Sequence, residues 1–425
     1  MRPAGDQRAR GIFIPARPLQ TAMRDVVDLV QRHDEWRLRR CLNLQPSENV
    51  TSEQVRAILG SDLAHRYTLP WDQEWMGYHV QNSYRGTRYI DEIEALAERL
   101  AREVFHARHA TLKPLSGHLA GMLTLVATCD RGDTILVLDV RHGGYDGYQP
   151  EYMPSMFGLN VEFLPFDESA WTLDTPRAAE AIREVRPKLV LIGGSFILFP
   201  YDLRPLRRAC DEVGSLLAYD GSHVLGLVAG GAFQDPLREG ADILYGSTHK
   251  SFFGPQGALL CTNRDDVFEK ILKTVTWRIE DNAHWNRIAA TAQALLEMKA
   301  FGRAYAMQVV GNAKAFGRAL EAQRFPVRFR DREFTESHQV HYDAHGLRDG
   351  WHLTPDEFSV RLEKNDIIVD SITRLGAQEV TRMGATEAHM ERIAAVIVRA
   401  ALGDDVRKEV SKIRSELALS FVFPP

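Results

Sequence analysis

At 425 residues, 44% hydrophobic and 26% charged, the chain is long enough for a large core and two domains. A formal net charge of −5 with no long run of like charge argues against nucleic acid or a membrane surface as a partner. Cys41, Cys129, Cys210 and Cys261 lack metal-ligand spacing, so they read as buried thiols of a reducing compartment, although an even count is compatible with disulfides. Arg2, Arg8 and Arg10 precede no long apolar run, so neither a signal peptide nor a membrane span is expected and the localisation reads as cytoplasmic.

Prolines and glycines among arginines make the first twenty or so residues an irregular arm. A helix is expected from Thr21, with Val26, Val27, Leu29 and Val30 on its apolar side. Leu42-Asn43-Leu44 reads as a short strand. Ser47 and Glu48 then read either as caps of a helix starting near Thr51 or as support for a site. Trp71, Trp75 and Tyr78 crowd one loop, where they either line a pocket or pack the loop down. Ile93, Leu96, Leu100 and Val104 have helical spacing, so the helix from Asp91 turns that face inward. Ser116-Gly117 opens the next helix, and free backbone N–H groups at such an end suit an anion.

From about residue 110 to 260, apolar runs such as 134–138 and 189–192 alternate with helix-like segments. That pattern predicts an α/β fold with a mostly parallel sheet and ligands at the carboxyl ends of its strands. One apolar run ends at Asp220, with His223 close behind. The next ends in Gly246-Ser247-Thr248-His249-Lys250, before Ala258-Leu259-Leu260. A lysine in the turn between apolar strands reads either as a surface residue or as a desolvated amine suited to a Schiff base. An aspartate at a strand end is what the ring nitrogen of pyridoxal 5'-phosphate (PLP) requires. Asp220, His223 and Lys250 together point to that cofactor.

Several segments carry a resemblance: Pro46 to Ser52, Tyr89 to Glu94, Tyr219 to Leu225, Asp235 to Ala241, Gly246 to Gly257, Phe334 to Val340 and Arg374 to Gly376. On these the chain resembles the serine hydroxymethyltransferases, fold-type-I PLP enzymes, and their archaeal branch most. The resemblance implies an N-terminal arm and helix over 1–45 that helps hold a homodimer. It further implies a large PLP-binding domain over 46–290 and a small C-terminal α+β domain over 291–425. It gives Ser116 and Gly117 to the cofactor phosphate and Asp220, His223 and His249 to cofactor binding. Lys250 becomes the Schiff-base lysine and Ser195 a neighbour of the cofactor's phenolic oxygen, although Ser195 also reads as a plain turn residue. Arg374 is given to the substrate α-carboxylate, a task that suits its planar fork. Tyr67 matches a family tyrosine, and Tyr84 one that reaches the neighbouring subunit's site.

The chain departs from the family at three places. The family's acid–base glutamate, used in folate-linked chemistry, falls on Leu69, which carries no proton. Glu74, in the longer loop that follows, reads as a solvated carboxylate or as a substitute. The histidine that stacks on the cofactor becomes Tyr145, which can still stack but shuttles protons poorly with an ordinary pKa of roughly 10. The stretch Trp277 to Arg287 lacks the family's glycines. The expected function is therefore PLP chemistry on an α-amino acid in specialised metabolism. Cα–Cβ cleavage and formation is the first reading, like a hydroxymethyltransferase or a threonine transaldolase. The alternative is β-elimination, or decarboxylation coupled to oxidative deamination, of a cysteine conjugate, as in lincosamide antibiotic biosynthesis. A PLP-binding regulator is a third class, for which no DNA-binding segment speaks.

Overall fold

A computed structural model describes residues 19–70 and 73–424, so the expected arm and Trp71 lie outside the described residues. The described residues divide into two compact units, one up to Cys41 and one from Leu42 onward. In the first, the helix runs over Leu19–His33, two residues earlier than expected, and continues as a wider-turned helix over Asp34–Arg40. Val26, Val27, Leu29 and Val30 are exposed there, so the expected apolar side does not pack inward.

The second unit is built on a seven-stranded sheet. Leu216–Asp220 pairs in parallel with Leu189–Ile192 and Ile243–Ser247, and Thr134–Val137 joins Leu189–Ile192 to Asn160–Phe163, again in parallel. Ala258–Thr262 runs antiparallel between Ile243–Ser247 and His109–Thr111. Continuous apolar runs form these strands because both faces are covered. Val190, Ile192, Leu217, Leu244 and Leu259 point into one core, and Leu189, Leu191, Ala218, Ile243 and Leu260 into another on the opposite face. The strand period of two sorts neighbouring residues between them.

The helix Trp285–Ala322 gives Ile288, Leu295 and Val309 to the first of these cores. Its far end gives Ala313, Phe316 and Leu320 to a further core with Leu42, Leu44 and residues from Phe325 to Leu417. Leu42–Asn43 forms the expected strand, in parallel with Ile367–Ile368. The helix expected near Thr51 is Glu53–Leu59, and Ser52 caps it by accepting from Val55 N. Ser47 and Glu48 do not cap it: Glu48 accepts from Asn43, and Ser47 from Gln45. Ser52 also donates to Glu297 Oε1 at 2.6 Å, and Glu297 pairs with Arg382 at 2.5 Å, both fully buried. All four cysteines are free, Cys129 half-buried and the other three buried. No helix among the described residues is long and apolar enough to cross a membrane.

Candidate active site

The strands 216–220 and 243–247 end side by side, and the cleft beyond their carboxyl ends collects Ser116, Gly117, Tyr145, Ser195, Asp220, His223, His249 and Lys250. His118, Ser222 and Ser247, absent from the expected set, line it too.

Lys250 follows the strand 243–247, and Asn49 holds its carbonyl at 2.8 Å while also donating to Tyr305. Burial lowers the Lys250 pKa to about 8; Asp220 opposes that shift and the charge of Arg374 adds to it. Asp220 accepts from the buried Tyr148 hydroxyl at 2.8 Å and from Ser222 N at 3.0 Å. Tyr245 lies 2.6 Å from that hydroxyl, and burial raises both phenols well above their usual range.

His223 is buried, and desolvation holds its pKa far below the usual value, with Lys250 and Arg374 adding to the effect. The Gln339 amide nitrogen donates to His223 Nδ1 at 3.1 Å and to Ser195 O at 3.1 Å. An amide nitrogen only donates, so Nδ1 accepts and the neutral ring carries its proton on Nε2. Gln339 Oε1 is in turn 2.9 Å from His341 Nε2. Burial likewise lowers His249 to about 4.

Ser116 caps the helix Gly117–Thr128 by accepting from Leu119 N. The first-turn N–H groups of such a helix have no carbonyl within it. A Cβ on Gly117 would lie 2.3 Å from Ser247 Oγ and 2.8 Å from Ser222 Oγ, so two hydroxyls close on this glycine. Arg374, 5% exposed, stands behind Ser195. It donates to the Ser195 carbonyl at 2.6 Å and to Asp370 at 2.8 Å, over the Phe196 ring.

Tyr67 and Tyr84 are exposed, with rings 5.3 Å apart, and are not among the residues lining this cleft. Glu74, on the hairpin Gln73–Trp75 and Tyr78–Val80, is solvated at 3.8 Å from His79. Trp75 and Tyr78 on that hairpin are exposed, so these two do not pack the loop down. Leu69 faces a separate small cleft with Lys113, Glu280 and Trp285.

The parts fit PLP. The hydroxyls and first-turn N–H groups around Gly117 suit a phosphate, and Asp220 suits a ring nitrogen. Lys250 is a desolvated amine, and His249 Nδ1 is a buried atom without a partner among the described residues. Sheet and site together define a PLP-dependent enzyme of fold type I. The sequence model of serine hydroxymethyltransferase matches residues 19–397. The chain is 41% identical over 405 residues to the serine hydroxymethyltransferase of Methanopyrus kandleri, covering 92% of each chain. It is 36% identical over 403 residues to that of Pyrococcus furiosus, covering 91% of this chain and 92% of the relative. The solved L-threonine transaldolase from Pseudomonas fluorescens, in its internal aldimine state, superposes with a TM-score of 0.82 at 26% identity over 95% of both chains. The chain belongs to the serine hydroxymethyltransferase family and is a PLP-dependent enzyme with transferase activity.

Proposed function

We propose that this chain breaks and forms the Cα–Cβ bond of β-hydroxy-α-amino acids in specialised metabolism, releasing the β-carbon fragment from the glycine α-carbon as an aldehyde and joining an aldehyde to it in reverse, without folate. The observation that carries this reading is a complete lysine–aspartate cleft combined with a leucine at the family's glutamate position. The likeness to the threonine transaldolase supports it. Bound PLP supplies the electron sink for the broken bond. The chain's residues do the rest. Lys250 offers an amine that is partly neutral near pH 8, and Asp220, anchored by Tyr148 and Ser222, offers the carboxylate for the ring nitrogen. Ser116, Gly117 and Ser247 receive the phosphate, and Arg374 receives the α-carboxylate. Tyr67 and Tyr84 face solvent, which supports a homodimer in which a second copy completes the site. We also keep the division into a large domain over 46–290 and a small one over 291–425 as part of this proposal.

One observation favours a second reading, folate-dependent hydroxymethyl transfer. Glu280 shares the small cleft with Leu69, and burial raises its pKa to about 7, a value suited to acid–base work. Titrating the PLP-loaded protein with glycine, with and without tetrahydrofolate, separates the two. The first reading expects the same long-wavelength absorbance change in both titrations, with threonine turned over in a product assay. A change that needs folate supports the second. Turnover of an S-alkylcysteine but not of threonine would refute both and favour cysteine-conjugate chemistry.

A further inference from the structure

Tyr145 leaves the loop after the strand 134–137, and His118 sits in the first turn of the helix 117–128. Their polar ends meet, with Tyr145 Oη 3.0 Å from His118 Nδ1 and the rings edge-on at 6.0 Å and 79°. Both side chains line the cleft that holds Lys250. The phenol is held in place. Tyr148 packs edge-on to it at 5.2 Å, and a Cβ on Gly147 would lie 2.5 Å from its ring.

Alone, Tyr145 is a poor base. Burial raises its pKa above the usual value, and the negative charges of Asp220 and Asp146 add to that. Even an unperturbed phenol is ionised to only about one part in a thousand at pH 7. An imidazole on its oxygen changes this, because the phenol can pass its own proton on while it takes another. Two other cleft groups are committed elsewhere: His223 Nδ1 is held by Gln339, and Asp220 by Tyr148 and Ser222. His249 is half-buried, and desolvation lowers its pKa to about 4, which makes it a weak base. His118 is exposed, so a proton it receives can exchange with water.

We propose that Tyr145 and His118 form the proton relay of this cleft, with His118 acting through the phenol as a positioning and proton-accepting partner. The inference rests on the Cα–Cβ reading above. In the cleavage direction the Tyr145 oxygen takes the β-hydroxyl proton as its own proton moves to His118 Nδ1. The substrate O–H and Cα–Cβ bonds break, a C=O bond forms, and the electron pair of the Cα–Cβ bond stays on Cα. In the synthetic direction the imidazolium returns its proton through the phenol to the alkoxide formed on the aldehyde.

Two measurements test this. In PLP-free protein labelled with 15N-histidine, Tyr145→Phe is expected to shift the His118 titration midpoint; an unmoved midpoint would overturn the pair. In loaded enzyme, kcat/KM for threonine or phenylserine is expected to fall on the acid side of its pH profile, where a proton taken from solvent blocks the imidazole as acceptor. His118→Asn should abolish that acid limb and cut the rate by roughly 10²–10⁴-fold, with amino-acid affinity, read by absorbance, unchanged. A wild type that cleaves these substrates and a His118→Asn variant within threefold of it, acid limb intact, would overturn the relay alone. A wild type that cleaves neither substrate would overturn the relay together with the Cα–Cβ reading.

Discussion

Glu280 offers a prediction whose size follows from its surroundings. It lies after a backbone kink in which Trp277 takes a φ of +74°, and it lines the small cleft with Leu69, Lys113 and Trp285. Both carboxylate oxygens are buried, and neither has a hydrogen-bond partner among the described residues. Neither nearby cation is hydrogen-bonded to Glu280. Lys113 is 3.1 Å from Glu94, and Arg287 Nη2 donates to the carbonyls of Leu112 and Lys113. Burial therefore dominates and raises the Glu280 pKa from 4.5 to about 7, with Arg287 and Lys113 offsetting only part of it.

A pKa rise of roughly 2.5, at about 1.4 kcal/mol for each pH unit, amounts to about 3.5 kcal/mol. Below pH 4.5 the group is protonated in both the folded and the unfolded chain and costs nothing. Between pH 4.5 and 7 the unfolded chain ionises while the folded one resists, so stability falls, and the loss is complete above pH 7. Glu280→Gln removes this pH-dependent term and leaves a neutral amide in the same cleft. Urea unfolding of both proteins at pH 5, 6, 7 and 8 reads the difference, in which all other titrations cancel. The variant is expected to gain about 2–3 kcal/mol on wild type between pH 5 and pH 8. A difference that stays flat over that range, or that falls with pH, would refute the account of Glu280 as a desolvated, unpaired carboxylate.

Tyr148→Phe takes from Asp220 its buried phenol donor, a bond to a charged group worth about 1.5–3 kcal/mol. PLP affinity, measured by absorbance titration, should weaken by at least about tenfold; an unchanged value would mean that Ser222 N alone orients the carboxylate. Arg374→Lys keeps the charge but cannot serve Asp370 and Ser195 O together with a substrate. The dissociation constant for glycine should rise roughly tenfold to a hundredfold, and a change below twofold would remove Arg374 from carboxylate binding. Arg382→Met strands the fully buried Glu297 carboxylate and should cost about 3–5 kcal/mol in chemical unfolding, much of it recovered on adding Glu297→Leu. A loss under about 1 kcal/mol would show that Ser52 and solvent satisfy Glu297 without the arginine.

The sheet and the ends of its strands can be read from the order of the amino acids. Runs such as 189–192 and 243–247 are apolar at every position because both faces of the sheet are covered, and such a run is legible in one dimension. Asp220, Lys250 and the Ser116-Gly117 helix start fall where those runs stop, so these residues of the cleft lining were legible as well. How those residues are held is set by the folded chain. Asn49 reaches the Lys250 carbonyl across 201 positions, and Gln339 reaches His223 across 116. The His118–Tyr145 contact joins a helix start to a loop one strand later. The folded chain also placed Ser52 rather than Ser47 or Glu48 at the helix cap, left Tyr67 and Tyr84 outside the cleft, and set Glu280 beside Leu69. Apolar periodicity records which face of an element is buried. It carries no record of which polar group, brought back by a later crossover, will stand at hydrogen-bonding distance, and that pairing decides how the site's side chains are oriented.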